Sequence, residues 1–267
     1  MSDPITIIGA GGFIGRWLAN ELRHQGLAPW CPGRNEDLFN VSLGQVFYCA
    51  GLTGDYHERP FETVEAHVSL LARILKDADF ESLVYLSSTR LYDALGDRIV
   101  DEQTELSFNP ANPRHLYDLS KALGENLCLT TSAGRAKVVR LSCVLGNNLD
   151  DQGFVPNLLK QARGKRTLTT SSSPGLMRDY IGINDVVDLL IQISQNGQRS
   201  LYNVASGTNV SNSALFSLIE TLTGCSIQAQ GSAVLASPTI DISPLVEEFG
   251  FRPKTMESLL KTLLALN

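Results

Sequence analysis

The sequence lacks any long apolar run. None of its stretches is apolar over the roughly 18 residues that a membrane-spanning helix needs, and its first residues lack the basic flank and apolar core of a signal peptide. We therefore expect no membrane partner and a cytoplasmic location. Internal repeats and low-complexity linkers are missing as well. With 43% hydrophobic residues among 267, the chain is long enough for a sizeable core, as one large domain or two lobes.

Cysteine pairs and excess basic charge are missing too. The five cysteines are scattered and form no C-x-x-C pair, which predicts reduced, mostly buried thiols and neither a disulfide framework nor a metal site. The net charge of −6 and the pI near 5.3 provide no electrostatic footprint for nucleic acid. Any basic group that binds a phosphate must therefore be local.

A short apolar run followed by a glycine-rich loop opens the sequence. Residues 5–8 are apolar or β-branched, which is typical of a buried strand in a parallel sheet. The glycines of the loop recur at every third position: Gly9, Gly12 and Gly15. They allow a tight turn, and the helix predicted over 13–25 directs the N–H groups of Phe13 and Ile14 toward a pyrophosphate. The alternative is a glycine-rich turn in an ordinary βα unit.

The second strand is predicted at Leu27–Cys31, although Pro29 and Pro32 suit an interior strand poorly. The end of this strand normally selects the cofactor, because an acid binds the ribose 2′-OH of NAD whereas an arginine accommodates the 2′-phosphate of NADP. Arg34 stands at that place, and the acidic residues come slightly later. We therefore favour NADP(H) over NAD(H), with a solvated surface arginine as the alternative.

Two further elements follow the cofactor-selecting turn. Residues 46–51 form the next strand and its exit at Ala50 and Gly51, after a connection too short for a full helix. An amphipathic helix then begins after Pro60, with apolar residues at steps of three and four: Phe61, Val64, Val68, Leu71 and Leu75. His67 lies within this helix, and we expect it to be a packed or surface histidine.

Hydroxyl groups and a Y-x-x-x-K pair form the strongest indication of chemistry. The strand predicted at 82–88 ends in Ser87 and Ser88, at the edge where open α/β sheets bind ligands. Tyr117 and Lys121 are four apart on a predicted helix and share one face. A nearby ammonium lowers the pKa of a phenol, so Tyr117 is predicted to act as general acid or base while hydride moves to or from a nicotinamide.

Together these patterns resemble the extended short-chain dehydrogenase/reductase family, of the NAD-dependent epimerase/dehydratase type. The string from Val84 to Tyr92 is similar to the segment with the catalytic Ser or Thr, which identifies Ser88. Ala50-Gly51 resembles the loop beneath the adenine and ribose. The resemblance implies an α/β fold with a doubly wound parallel sheet (Rossmann) over residues 1–145, which also receives segments near 179–204. Residues 146–267 would mainly form a small C-terminal substrate-binding lobe.

The same resemblance implies a nucleotide-sugar substrate and a homodimer. Ser88 and Thr89 would face the sugar, Lys121 would hold the nicotinamide ribose, and Ser87 would face the cofactor. The segment 178–186 is similar to the family's R-D-[FY] motif, in which Arg178 meets the substrate diphosphate. Pairing of Arg178 with a neighbouring aspartate is the alternative. The helices around 61–78 and 113–132 are the expected dimer contact.

The residues after Ser88 narrow the expected reaction. The family's 4,6-dehydratases carry Thr-Asp-Glu where this chain has Ser88-Thr89-Arg90. Thr89 and Arg90 cannot supply the acid and the base that the elimination step needs, so a dehydratase is disfavoured. Members that epimerise at C3 and C5 use a cysteine at the Thr89 position. A 4-keto-sugar reductase and a 4-epimerase with tightly bound NAD remain, and Arg34 favours the reductase. A non-catalytic dinucleotide sensor is the rival from another class.

Overall fold

The computed structural model describes residues 4–149, 151, 153–233 and 236–266. Its strands, in chain order, are β1 (Ile5–Ile8), β2 (Gln45–Tyr48), β3 (Ser82–Ser88), β4 (Ile99–Val100), β5 (Ala136–Leu141), β6 (Cys143–Leu145), β7 (Thr167–Thr170), β8 (Met177–Gly182), β9 (Leu201–Val204), β10 (Asn209–Ser211), β11 (Ser226–Ala229) and β12 (Thr239–Ile240). Its α-helices are α1 (Phe13–His24), α2 (Pro60–Val64), α3 (Leu70–Asp77), α4 (His115–Thr131), α5 (Phe154–Ala162), α6 (Ile183–Asn196), α7 (Asn212–Thr223), α8 (Ser243–Phe249) and α9 (Met256–Ala265).

The chain forms two compact units. The first consists of Met1–Ala94, Glu105–Leu141 and Val187–Asn203. The second consists of Leu95–Thr104, Ser142–Val186 and Val204–Asn267. The N-terminal part of the chain leaves the first unit after Leu141, a few residues before the boundary that the sequence predicts at 145. The sequence did not predict that the short segment Leu95–Thr104 belongs to the second unit.

The first unit is built on a sheet with the strand order β1-β2-β3-β5-β9. The pairs β1–β2, β2–β3 and β3–β5 are parallel. Their residues are almost continuously buried because helices cover a parallel sheet on both faces. Tyr48, Leu83, Tyr85 and Val138 belong to the core on one side of the sheet. The predicted α/β fold class is therefore confirmed.

The strand predicted at Leu27–Cys31 is wrong. In its place only Trp30 forms a parallel bridge, to Thr6, held by hydrogen bonds from Trp30 N–H to the Ile5 carbonyl and from Ile7 N–H to the Trp30 carbonyl. The physical reason is the pair Pro29 and Pro32, since proline has no N–H to extend the ladder on either side.

The helix predicted after Pro60 contains a π-helical turn at Glu65–Ser69, between α2 and α3. A π-turn holds one extra residue, so the helix faces before and after it are out of register. Leu71 is fully buried, whereas Phe61 is 85% exposed. The predicted apolar stripe is therefore not continuous, and the prediction is wrong at its N-terminal end. His67 lies in the core and has no exposed surface.

The second unit has a sheet with the order β10-β8-β6 and two paired ladders, β11–β7 and β12–β4. Helices α5, α7 and α9 supply its core, which includes Leu159, Leu215, Ile219 and Leu260. Among the helices in the described residues, none combines the length and the apolar character that crossing a membrane demands.

Candidate active site

The glycine loop lies against the end of strand β2, within the first unit. Gly9 has a positive φ of 87°, and a Cβ there would approach the backbone nitrogen of Ala50 to 2.6 Å. A Cβ at Gly15 would collide with the Gly9 carbonyl, and Gly12 donates its N–H to that carbonyl at 3.0 Å. Only glycine satisfies both the turn and the close approach.

Helix α1 begins at Phe13 without a side-chain cap. Gly12 is its N-cap residue and offers no side-chain hydrogen bond, and its first turn contains no acid. The N–H groups at Phe13 and Ile14 have no intrahelical acceptor, because the first turn of a helix leaves its donors unsatisfied. This helix end suits a diphosphate, and the loop brings Gly51, the residue after Ala50, into the same neighbourhood.

Arg34 is exposed on the turn that follows Pro32. The two acids that come next are occupied locally: Glu36 accepts the Gly33 N–H, and Asp37 accepts the Phe39 N–H at 2.8 Å and a hydrogen bond from Asn40. Among the described residues, no carboxylate forms a salt bridge with Arg34. The turn thus presents a guanidinium without a carboxylate partner, next to two acids that already accept local hydrogen bonds.

Strand β3 ends with two buried hydroxyl groups. The Ser87 Oγ has no hydrogen-bond partner anywhere in the described part of the chain, and Ser88 Oγ accepts the backbone N–H of Arg90 at 3.2 Å. A buried hydroxyl without a partner is rare in folded proteins and is a position where a ligand can complete the hydrogen bonding. Thr89, at the start of the following 3₁₀ helix, is half-buried.

Helix α4 brings Tyr117 and Lys121 beside these hydroxyls, and both residues are buried. The Lys121 ammonium donates to the Leu86 carbonyl at 2.7 Å and lies 4.9 Å from the centre of the Tyr85 ring. Burial lowers its pKa to about 8, although the Glu125 carboxylate acts in the opposite direction. Lys121 therefore has a buried ammonium group that loses its proton more readily than the ammonium of an exposed lysine does.

The expectation that Tyr117 has a lowered pKa is wrong in this structure. Burial is the largest effect and raises the pKa of the phenol, while contacts with the hydroxyls of Ser88 and Thr53 and the charge of Arg90 lower it. The spacing of four residues places Tyr117 and Lys121 on the same helix face, but it does not determine where the end of the long Lys121 side chain lies. That end lies at the Leu86 carbonyl.

The sequence did not identify Arg90 and Tyr56 as neighbours of Tyr117. The Arg90 Cζ lies 4.5 Å from the centre of the Tyr117 ring and 5.2 Å from that of Tyr56, and its Nη2 donates to the Tyr56 hydroxyl at 3.2 Å. The two rings are 5.4 Å apart. A charged residue two positions after a strand that ends in Ser-Ser was the available signal for Arg90. Tyr56 lies in a loop with no distinguishing pattern.

A buried ion pair supports α4 from behind. Arg140 donates from Nε and Nη2 to the two carboxylate oxygens of Glu125, at 2.9 and 2.6 Å, and from Nη1 to the Tyr92 hydroxyl. Tyr92 in turn donates to Asn203 Oδ1 at 2.9 Å. An arginine within the apolar run of β5 was the sequence signal, since a buried charge requires a partner.

Arg178 lies on strand β8 of the second unit and is exposed. The neighbouring carboxylates have other partners: Asp179 accepts hydrogen bonds from Ser206 N–H at 2.8 Å and Thr208 N–H at 3.1 Å, and Asp185 pairs with Lys254 at 3.0 Å. The alternative in which Arg178 pairs with Asp179 or Asp185 is therefore wrong.

The first unit suits a nicotinamide dinucleotide. Its glycine loop turns so tightly that a Cβ at Gly9 or Gly15 would meet backbone atoms, and the unpartnered Ser87 hydroxyl lies at the same sheet edge as Ser88. The residues that would hold the group are Gly9, Gly12, Phe13, Ile14, Gly15, Arg34, Ala50, Gly51, Ser87, Tyr117 and Lys121. In the part of the chain that the structure describes, no three His, Cys, Asp or Glu side chains are grouped to hold a metal ion.

Comparison with protein families gives one match over most of the chain. The sequence model described as the NAD dependent epimerase/dehydratase family matches residues 5–205. UDP-glucuronic acid decarboxylase 1 of Danio rerio is 23% identical over 252 residues, covering 81% of this chain and 58% of the relative. UDP-glucuronic acid decarboxylase 6 of Arabidopsis thaliana is 25% identical over 182 residues, covering 64% and 52%. The chain thus spans little more than half the length of these relatives.

Solved structures share the fold. MoeE5 in complex with UDP-glucose and NAD superposes with a TM-score of 0.80 at 23% identity, covering 98% of both chains. RMD from Pseudomonas aeruginosa, complexed with NADPH, gives 0.77 at 21% identity, covering 99% of this chain and 98% of that one. A UDP-glucose 4-epimerase from Thermotoga maritima gives 0.80 at 18% identity, covering 98% of both.

Proposed function

The chain belongs to the NAD-dependent epimerase/dehydratase family, and from that membership we propose that it is a nicotinamide-dependent oxidoreductase acting on a nucleotide-sugar, specifically a 4-keto-sugar reductase. The observation that carries the proposal is the placement of the Tyr117 phenol against the Ser88 hydroxyl at the end of β3, with Lys121 buried one turn further along α4. A ketone needs a proton donor, an oxygen-binding group and a hydride donor, and this site provides the first two.

The proposed chemistry assigns one task to each side chain. Tyr117 donates its proton to the carbonyl oxygen while that oxygen accepts a hydrogen bond from Ser88. The buried Lys121 binds the cofactor ribose and adds positive charge to the site. When bound, the reduced nicotinamide supplies the hydride that adds to the carbonyl carbon. The ketone becomes a secondary alcohol, and Tyr117 regains its proton from solvent.

NADP(H) is the cofactor that we propose, because Arg34 is available and the acids beside it are not. Glu36 and Asp37 are held by local hydrogen bonds, whereas Arg34 is exposed and has no salt bridge in the described residues. A guanidinium suits the 2′-phosphate of NADP, which a carboxylate would repel. Solved structures of the fold contain either NAD or NADPH, so the fold itself is compatible with both.

A nucleotide-sugar substrate is supported by the relatives. The curated relatives are named for UDP-glucuronic acid, and MoeE5 was solved with UDP-glucose. For this chain we propose that Ser88 and Thr89 contact the sugar and that Arg178 binds the diphosphate. Arg178 has no carboxylate partner among the described residues, which leaves its guanidinium able to bind a phosphate.

The test is reduction of nucleotide-linked 4-keto-sugars, measured as NADPH consumption and product formation. Wild-type protein should turn over at least one member of a panel that varies the nucleotide. Tyr117→Phe should abolish turnover and retain NADPH binding, and Ser88→Ala should reduce it by about 100-fold or more. Tyr48→Phe, which removes a buried phenol that donates to the Ala66 carbonyl, is the matched control. NADPH binding without turnover of any substrate would favour the dinucleotide sensor.

A second candidate reaction starts with oxidation. A 4-epimerase oxidises C4 and reduces the other face, so it retains NAD through each cycle. Loss of CO₂ from a uronic acid also begins with C4 oxidation, because the resulting β-keto acid releases CO₂ readily. The enolate that remains takes up a proton at C5, and return of the hydride reduces the C4 ketone. The curated relatives are decarboxylases by name. NAD that co-purifies with the chain, together with C4 inversion or CO₂ release, would select these reactions over the reductase.

We also propose a homodimer that uses the helices predicted for this contact. Large apolar side chains remain exposed on α2 and α4: Phe61, Val64, Leu123 and Leu129. Contiguous apolar patches commonly mark protein interfaces, and we propose that these four side chains form one such patch. A cytoplasmic location is supported by the five free cysteines, which suit a reducing compartment.

A further inference from the structure

The two cations near Tyr117 differ in their surroundings. The Lys121 ammonium is bound to the Leu86 carbonyl at 2.7 Å and faces the ring of Tyr85, not that of Tyr117. The Arg90 guanidinium lies over the face of the Tyr117 ring, 4.5 Å from its centre. Attraction between a cation and a ring face is strongest when the ring carries negative charge and water is excluded.

Arg90 is held in this position from two sides. Its backbone N–H donates to Ser88 Oγ at 3.2 Å, which fixes the start of the 3₁₀ helix against the end of β3. Its Nη2 donates to the Tyr56 hydroxyl at 3.2 Å, and the guanidinium contacts the rings of both Tyr56 and Tyr117. Within the described residues, no carboxylate forms a salt bridge with it, so its charge is not neutralised by an ion pair.

Three other residues act on the pKa of the Tyr117 phenol. Ser88 and Thr53 contribute hydroxyls, and Asp118, the next residue of α4, raises the pKa of the phenol. The His67 ring meets the Tyr117 ring edge-on at 5.3 Å, but burial and the Lys121 charge lower the pKa of that imidazole to about 2, so it is neutral.

We propose that Arg90 is a further cation that stabilises the Tyr117 phenolate, in addition to the charge that the Y-x-x-x-K spacing assigns to Lys121. This inference rests on the proposed function, in which Tyr117 gives its proton to the carbonyl oxygen and becomes a phenolate. The positive guanidinium above the ring makes that loss of a proton easier.

The test measures ionisation of Tyr117 directly, without substrate. In protein labelled with ¹³C at tyrosine Cζ, the Tyr117 signal is identified by its absence in Tyr117→Phe and is followed as a function of pH. Arg90→Gln should move its ionisation to higher pH, and Arg90→Lys should move it less. Arg59→Gln, which removes a guanidinium that is paired with Asp55 and Glu62, is the matched control and should leave the curve in place.

Kinetics provide the second measurement. In Arg90→Gln, kcat for the reduction should fall about tenfold at neutral pH, which corresponds to one pKa unit, and the alkaline limb of the pH profile should move to higher pH. If this variant does not fold, Tyr56→Phe releases the guanidinium from one side and should move the Tyr117 titration in the same direction by less.

Two results would overturn the proposal. One is a Tyr117 titration that is the same in Arg90→Gln and wild type. The other is a higher KM for the substrate with an unchanged titration, which would assign Arg90 to an anionic group of the substrate. Failure of the proposed function gives a different pattern, because the titration would still move while no keto-sugar is reduced.

Discussion

The Nδ1 atom of His67 lies 2.8 Å from Ser120 Oγ, and this contact joins the π-helical turn to helix α4. The other ring nitrogen, Nε2, accepts the Leu52 N–H at 3.2 Å, so the ring proton must be on Nδ1. Ser120 Oγ accepts the hydrogen bond from Nδ1–H and donates its own hydroxyl hydrogen bond to the Tyr117 carbonyl at 2.8 Å. A neutral imidazole thus connects the loop after β2 with the helical turn that carries Tyr117.

Replacement of His67 should change how stability depends on pH. Burial, followed by the Lys121 charge, lowers the pKa of this imidazole from 6.5 to about 2. Below pH 6.5 the unfolded chain therefore binds a proton that the folded chain does not bind. The free energy of unfolding should consequently fall by about 1.4 kcal/mol for each pH unit below that value. His67→Asn should remove this contribution, as measured by urea unfolding between about pH 5 and 7.

His24→Asn, at the exposed end of α1, is the control and should keep the wild-type slope. Identical slopes in wild type and His67→Asn would show that His67 is protonated in the folded chain, which would contradict the hydrogen-bond order described above. His67→Leu should also cost about 1–3 kcal/mol at every pH, because it leaves the Leu52 N–H without its acceptor.

The buried pair of Glu125 and Arg140 gives a prediction about stability. Glu125→Leu leaves the guanidinium of Arg140 buried without a counter-charge and should cost about 3–5 kcal/mol. The double variant Glu125→Leu/Arg140→Met removes both charges and should lose less than the single variant. Urea unfolding of the two single variants and the double variant measures the coupling. A double variant that loses the full sum of the single losses would show that the charges are not coupled.

Replacement of Arg34 should change the cofactor preference. Arg34→Ala should weaken binding of NADPH by about tenfold or more, the scale of one lost charge-assisted contact, and leave NADH nearly unaffected. Isothermal titration with each nucleotide measures the two dissociation constants. Arg163→Ala, an exposed arginine after α5 in the second unit, is the control. Equal losses for the two nucleotides would assign NADP(H) preference to other residues.

Phe61 gives a prediction about assembly. It is 85% exposed on α2, and in the proposed homodimer its ring is buried against the second copy. Phe61→Glu should convert the dimer to monomer, because a buried carboxylate without a partner is unfavourable. Sedimentation velocity measures the change. Ile99→Glu alters a residue that is 79% exposed on β4 of the second unit, and it should leave the assembly as it is. A wild-type monomer would contradict the proposal at once.

Local pattern was sufficient to predict much of the first unit. Strand β1 and strand β3 have the predicted bounds, and α1 begins and ends within a residue of its prediction. These elements depend on short-range periodicity and on glycine, which the sequence displays directly. Local pattern was insufficient at two places. Pro29 and Pro32 reduce the predicted second strand to one bridge, and the π-turn interrupts the predicted apolar stripe after Phe61.

Residue types and their spacing establish which groups are available: a tight glycine loop, a strand that ends in hydroxyls, and a phenol four residues before an ammonium. The tertiary structure alone decided which of these groups meet. Arg90 lies over the ring of Tyr117, Lys121 donates to the Leu86 carbonyl, and Arg140 pairs with Glu125. The physical reason is that spacing fixes the direction of a Cα–Cβ bond, whereas the end of a long charged side chain goes to whichever partner satisfies it in the folded core.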